Sequence, residues 1–120
     1  MVGSSKKYVF EIKDWCGRIV RLTQHTFNIH KDRHPEFVPY IGAAQETIQD
    51  PDFTAETGSG AVALFRLGLG KKLYKNLYLV VIVHYDGEVG IEATHYFTSR
   101  LGDLKVMEIR HQWISGLRYP

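Results

Sequence analysis

Apolar and polar residues alternate from Tyr8 to Lys13, with Tyr8, Phe10 and Ile12 set against Val9, Glu11 and Lys13. A period of two predicts a half-buried strand. Asp14-Trp15-Cys16-Gly17 turns the chain, and Gly17 is free to take a positive φ. Arg18–Leu22 then runs back as the second strand of a hairpin. Thr23 is a candidate N-cap for a helix that ends near Arg33, because Pro35 biases His34 away from helical geometry. This helix is unusually polar. Phe27 and Ile29 are its apolar residues, far short of the stripe that fastens a helix to a core.

After a corner at His34–Val38, Pro39 suits the first position of a second helix. Ile41, Ala44 and Ile48 recur there at helical spacing, and Asp50-Pro51-Asp52 stops it. Strands are expected at Phe53–Thr57, Ala61–Leu67, Leu77–Tyr85 and Glu88–Ser99, with a tight turn at Asp86-Gly87. Leu77–Tyr85 is apolar on both faces at its centre, as a middle strand is. Val106, Ile109 and Trp113 in the tail fit a helix or a final strand. The pattern predicts an α+β fold: an N-terminal β-hairpin and two helices packed on a mostly antiparallel sheet of about four strands. Alternation sorts Arg66, Tyr78, His84, Glu92, Thr94 and Tyr96 onto one partly open face, away from a core face bearing Phe65, Leu79, Val81, His95 and Phe97.

At 120 residues, 44% hydrophobic and 23% charged, the chain fits one globular domain over 1–120, with a disordered start at 1–7. No run approaches the ~18 apolar residues of a membrane span. A lone cysteine, Cys16, excludes an internal disulfide and suits the cytoplasm. The net charge of +2 does not by itself call for nucleic acid. Residues 64–78, however, hold Arg66, Lys71, Lys72 and Lys75 and no acid, which makes them a candidate anion-binding lip as well as a solvated loop.

His30 and His34 lie one turn apart, the spacing of two zinc ligands on a helix. The glutamate of a metalloprotease motif is missing, Lys31 and Arg33 repel a cation, and no third ligand stands out, so no metal or other cofactor is expected. Gly58-x-Gly60 and Gly68-x-Gly70 do not open helices and read as turns, not phosphate cradles. Cys16 has no base beside it in sequence. What remains is acid–base chemistry on an anion. Cleaving RNA through its own 2′-hydroxyl needs a base, an acid and a cation for the charge gathering on phosphorus. His34 and His30 supply imidazoles, Glu36 or Glu92 a carboxylate, and Arg66, with Lys71 and Lys72, positive charge. Tyr96 and Tyr78 are candidate stacking platforms for a base.

The order of these motifs carries a resemblance. Gly17-Arg18-x-Val20-x-Leu22-Thr23 comes first, then Arg33-His34-Pro35-Glu36, Glu46-Thr47-Ile48-x-Asp50-Pro51-Asp52, the strand with Arg66, Leu79-Val80-Val81-x-Val83 and Thr94-His95-Tyr96. Over about residues 16–100 the chain resembles the phage-barnase-type branch of the barnase/EndoU/colicin/RelE-like ribonuclease superfamily. The resemblance implies helices packed on a four-stranded antiparallel sheet and a metal-independent endoribonuclease, often a toxin with an antitoxin or immunity partner. It implies site roles for His34, Glu36, Arg66, Thr94 and Tyr96; His95 stands where such relatives usually have alanine. The expectation is a cytoplasmic endoribonuclease that leaves 2′,3′-cyclic phosphate ends, with RNA as substrate and no membrane partner. The alternative is a non-catalytic module on the same scaffold that binds nucleic acid or protein.

Overall fold

The computed structural model describes residues 7–101 and the strand at Lys105–Ile109. The expected disordered start, except Lys7, and Trp113 lie outside the described residues. The fold is α+β. Strands β1 (Tyr8–Lys13) and β2 (Ile19–Thr23) form the hairpin, followed by α1 (Gln24–His30) and α2 (Ile41–Gln49). Then come β3 (Phe53–Glu56), β4 (Val62–Leu67), a single 3₁₀ turn at Lys72–Tyr74, β5 (Tyr78–Asp86), β6 (Val89–Thr98) and β7 (Lys105–Ile109).

Among the described residues, seven strands join one sheet in the order β1-β2-β6-β5-β4-β3-β7. This corrects the expectation of about four strands. The discrepancy has a physical source: Ile19–Arg21 of the hairpin pair in parallel with Val89–Ile91 of β6, a junction between distant segments that no local pattern encodes. The tail segment, ambiguous in sequence, completes the other edge by pairing antiparallel with β3. The remaining neighbours are antiparallel.

The polar helix is capped as expected, with Thr23 Oγ1 accepting from the Thr26 N–H at 3.1 Å. It ends earlier than the proline demanded, at His30, and buries none of its residues. Residues 31–40 continue as turns, the first held by the Arg33 and His34 N–H groups donating to the His30 carbonyl. Helix α2 buries Ala44, Thr47 and Ile48 against Leu64, Leu79, Val81 and Val83 of the sheet. Phe53, Ala55, Ala63, Phe65 and Val80 form a second cluster on the opposite face. Among the described residues no helix is long and apolar enough to cross a membrane.

The sorting of strand faces needs two corrections. Leu64 lies opposite Val81 and Arg66 opposite Leu79, so Arg66 belongs to the helix-covered face, while Phe65 pairs with Val80 on the other. Strand β6 has a register shift: Thr94 faces Ile82 but Glu92 faces Val83, leaving Ala93 as the extra residue. A bulge changes the side on which the following residues fall. Glu92 and His95, three apart, therefore both sit on the helix side, whereas Thr94 and Tyr96 stay with Ile82 and Val80 on the other.

Candidate active site

The bulge places a carboxyl and an imidazole beneath the turns that follow α1. Glu92 and His95 are both buried, and Glu92 Oε2 lies 2.7 Å from His95 Nδ1. His95 Nε2 donates to the Phe37 carbonyl at 2.8 Å; a carbonyl can only accept, so this nitrogen carries the hydrogen. The Phe37 ring stacks on the His95 ring at 4.0 Å between centroids and 10° between planes. On its other side Phe37 meets His30 at 5.0 Å, and His30 meets His34 at 5.4 Å. Four rings thus lead from the buried Glu92–His95 pair out to His34, which is exposed.

His30 serves as a fastener within this ladder. Its Nε2 donates to the Ala93 carbonyl, the bulge residue, at 2.9 Å. Its Nδ1 is buried and has no hydrogen-bond partner. The His30 Nδ1 is out of reach of solvent and its Nε2 is engaged by a carbonyl, whereas His34 is exposed. Glu36, two residues further on, is half-buried. Glu92 Oε1 is likewise buried without a partner. The ladder is visible in sequence only as two histidines and a phenylalanine near a proline; alternation places His95 on a core face but not against Phe37, because neither the bulge nor the 58-residue separation between them leaves a local pattern.

Arg66 is engaged elsewhere. Its guanidinium donates to the Asp50 carbonyl at 2.8 Å and lies 3.5 Å from both the Asp50 and Glu46 carboxylates, at the C-terminal end of α2. These two acids offset its charge, and the carbonyl fixes its direction. Thr94, Tyr96 and Tyr78 lie on the opposite face of the sheet from the ladder. Tyr78 is half-buried edge-on to Phe53, and burial first, then the Asp52 charge, raises its phenol above the usual value. The sheet therefore separates the expected site into two groups: His30, His34 and Glu92 with the helices, and Thr94, Tyr96 and Tyr78 behind. Lys71 and Lys72 are exposed on the loop after β4. Among the described residues no three of His, Cys, Asp and Glu converge to hold a metal ion.

A second polar cluster sits at the β1–β2 corner. The Asp14 carboxylate accepts from the Cys16 and Arg18 N–H groups, the Arg18 guanidinium and the Tyr85 hydroxyl. The Arg18 guanidinium carbon lies over the Tyr85 ring, 3.8 Å from its centroid. Burial, and then the hydrogen bond to Asp14, pushes the Tyr85 phenol far above its ordinary range. Cys16 is exposed at the tip of this corner.

No family model matches the chain, and neither the curated proteins nor the solved structures include a significant match.

Proposed function

We propose that the protein is a metal-independent endoribonuclease of the phage-barnase type, in which His34 transfers protons during attack of the 2′-hydroxyl on the adjacent phosphate. One observation carries this reading: the solvent-facing imidazole of His34 is backed by an ordered ladder of rings that ends in a buried carboxyl–imidazole pair. Proton transfer in a transition state requires a positioned group, and His34 stands on a segment fastened to the sheet at Ala93 and His95. Glu36 is the nearest carboxylate in sequence and takes the second acid–base role. The products are a 2′,3′-cyclic phosphate and a free 5′-hydroxyl. The resemblance in motif order supports the same reading and adds a cytoplasmic, toxin-like role with an antitoxin or immunity partner.

Purified protein incubated with mixed RNA in excess EDTA tests it. Wild type should cut, leaving cyclic phosphate ends, and His34→Ala should lower the rate by about 10²-fold or more. Intact RNA with a folded wild type, or equal cutting by the folded His34→Ala variant, removes the proposal. A second reading, a binding module without catalysis, draws on the state of Arg66: two carboxylates already neutralise the cation that the chemistry needs. Salt-sensitive retention of RNA without cleavage selects it.

A further inference from the structure

The loop between β4 and β5 is built more rigidly than a solvated charge run requires. Tyr74 stacks on Phe97 at 4.6 Å and 18°, and Tyr40 closes edge-on against both rings. The Lys71 N–H donates to the Tyr40 hydroxyl at 3.2 Å. Gly70 packs so tightly on the Tyr74 backbone that a Cβ there would overlap its carbonyl. Lys72 is held at φ 53°, a left-handed conformation uncommon for a side-chain-bearing residue. The outcome is a fixed turn that projects Lys71, Lys72 and Lys75 into solvent and leaves Leu73 88% exposed at its tip. Among the described residues no ion pair engages these lysines.

The position of the turn is as telling as its construction. Tyr40 belongs to the same run of turns as His34, and Phe97 lies on the same face of β6 as His95, two residues along. The aromatic cluster therefore fastens the lysine turn to the segment that presents His34. With Arg66 occupied by Glu46 and Asp50, these lysines join the exposed Lys31 and Arg33 beside His34 as cations able to meet a phosphodiester backbone.

We propose that the 71–75 turn is a preformed grip for single-stranded RNA, with Lys71, Lys72 and Lys75 on successive phosphates and Leu73 against the face of an unstacked base. This rests on the ribonuclease reading and supplies its substrate-holding surface. Lysines act as point charges without the bidentate fork of arginine, so the grip follows the backbone and reads no sequence. An apolar tip gains nothing from a duplex edge, whereas unpaired bases expose flat apolar faces.

The test uses a 2′-O-methyl U12 strand, which cannot be cut, so binding is scored independently of catalysis. Fluorescence anisotropy across a salt series gives the affinity and its slope. Lys71→Gln/Lys75→Gln should flatten the log–log slope by about 1.4, two phosphates' worth for a single strand. The charge-matched pair Lys7→Gln/Lys13→Gln, on and beside β1, should leave it unchanged. Leu73→Ala should weaken binding severalfold at constant slope. Equal losses in both double variants, no binding by wild type, or equal affinity for the matching duplex overturns the proposal. Unaltered binding by the lysine variant also overturns it and leaves the turn to a protein partner with an acid-rimmed apolar pocket for Leu73. None of these results decides whether His34 cleaves RNA, which the EDTA assay reads separately.

Discussion

His95 and Phe37 meet twice: their rings stack at 4.0 Å, and the His95 Nε2 hydrogen is donated to the Phe37 carbonyl. A side chain of the sheet thus holds both the ring and the backbone of the segment that follows α1. Glu92 completes the arrangement by engaging the other ring nitrogen at 2.7 Å. Polar groups this deeply buried are costly unless each is paired, and removing one partner strands the other.

Replacing His95 by Phe should therefore destabilise the protein although the ring is kept. It leaves the Phe37 carbonyl and the Glu92 carboxyl unmatched, for an expected loss of about 3–5 kcal/mol. Glu92→Gln should cost much less, because an amide N–H can donate to Nδ1. Urea unfolding of the two variants measures the difference; equal losses would show that an amide cannot replace the Glu92 carboxyl against His95.

Arg66→Ala should lower stability by about 1–3 kcal/mol, since the guanidinium is a hydrogen-bonded brace between β4 and the end of α2. The folded variant should still cleave RNA within about tenfold of wild type, a margin of ~1.4 kcal/mol in the barrier. A loss of two orders of magnitude in a folded protein would return Arg66 to the catalytic role that its place in the sequence suggested.

Tyr85 makes the fold sensitive to alkali. Its phenol ionises later in the folded chain than in the unfolded one. The folded state then keeps a proton that the unfolded state gives up, so stability is intact below pH ~10 and falls as pH rises beyond it. Tyr85→Phe should remove part of this fall. At neutral pH the same variant loses the hydrogen bond to Asp14, worth about 1.5–3 kcal/mol for a charged acceptor. Chemical denaturation at pH 7 and above pH 10 checks both signs.

Two glycines should answer oppositely to alanine. A Cβ on Gly90 would lie 2.7 Å from the Tyr85 ring and from the Val83 side chain, so overpacking should cost about 1–3 kcal/mol. Gly42 lies in α2 with nothing within 4 Å, and Gly42→Ala should add about 0.5–1 kcal/mol. Thermal melts of the pair distinguish crowding from a general intolerance of substitution.

Most of the fold was legible locally. Thr23 as a cap, Gly17 and Gly87 at positive φ, Asp50 closing α2 and the apolar centre of β5 all follow from residue type and spacing. What escaped was non-local. The parallel β2–β6 pairing depends on two segments that are far apart in the chain, and the bulge at Ala93 has no composition of its own. That one extra residue accounts for the misplacement of Glu92. It moved Glu92 from the face shared with Thr94 and Tyr96 to the buried side with His95. The place of His34 outside the helix was legible because Pro35 disfavours helical geometry in the residue before it. Arg66 was misplaced because alternation gives the two faces of each strand but not the register between strands.

The parallel junction also sets an order of assembly. His30 is fastened to Ala93 and Phe37 to His95, pairs separated by 63 and 58 residues, and β2, already paired with β1, finds its second neighbour in β6. Contacts of such long range form late, after the loop between them has been closed. A ribosome making this chain releases the histidine segment long before the strand that anchors it. Until β6 emerges, His34 belongs to an unanchored hairpin and helix, and the ladder behind it does not exist. Any activity that depends on that ladder is thereby withheld from the nascent chain while most of the sheet is still being synthesised.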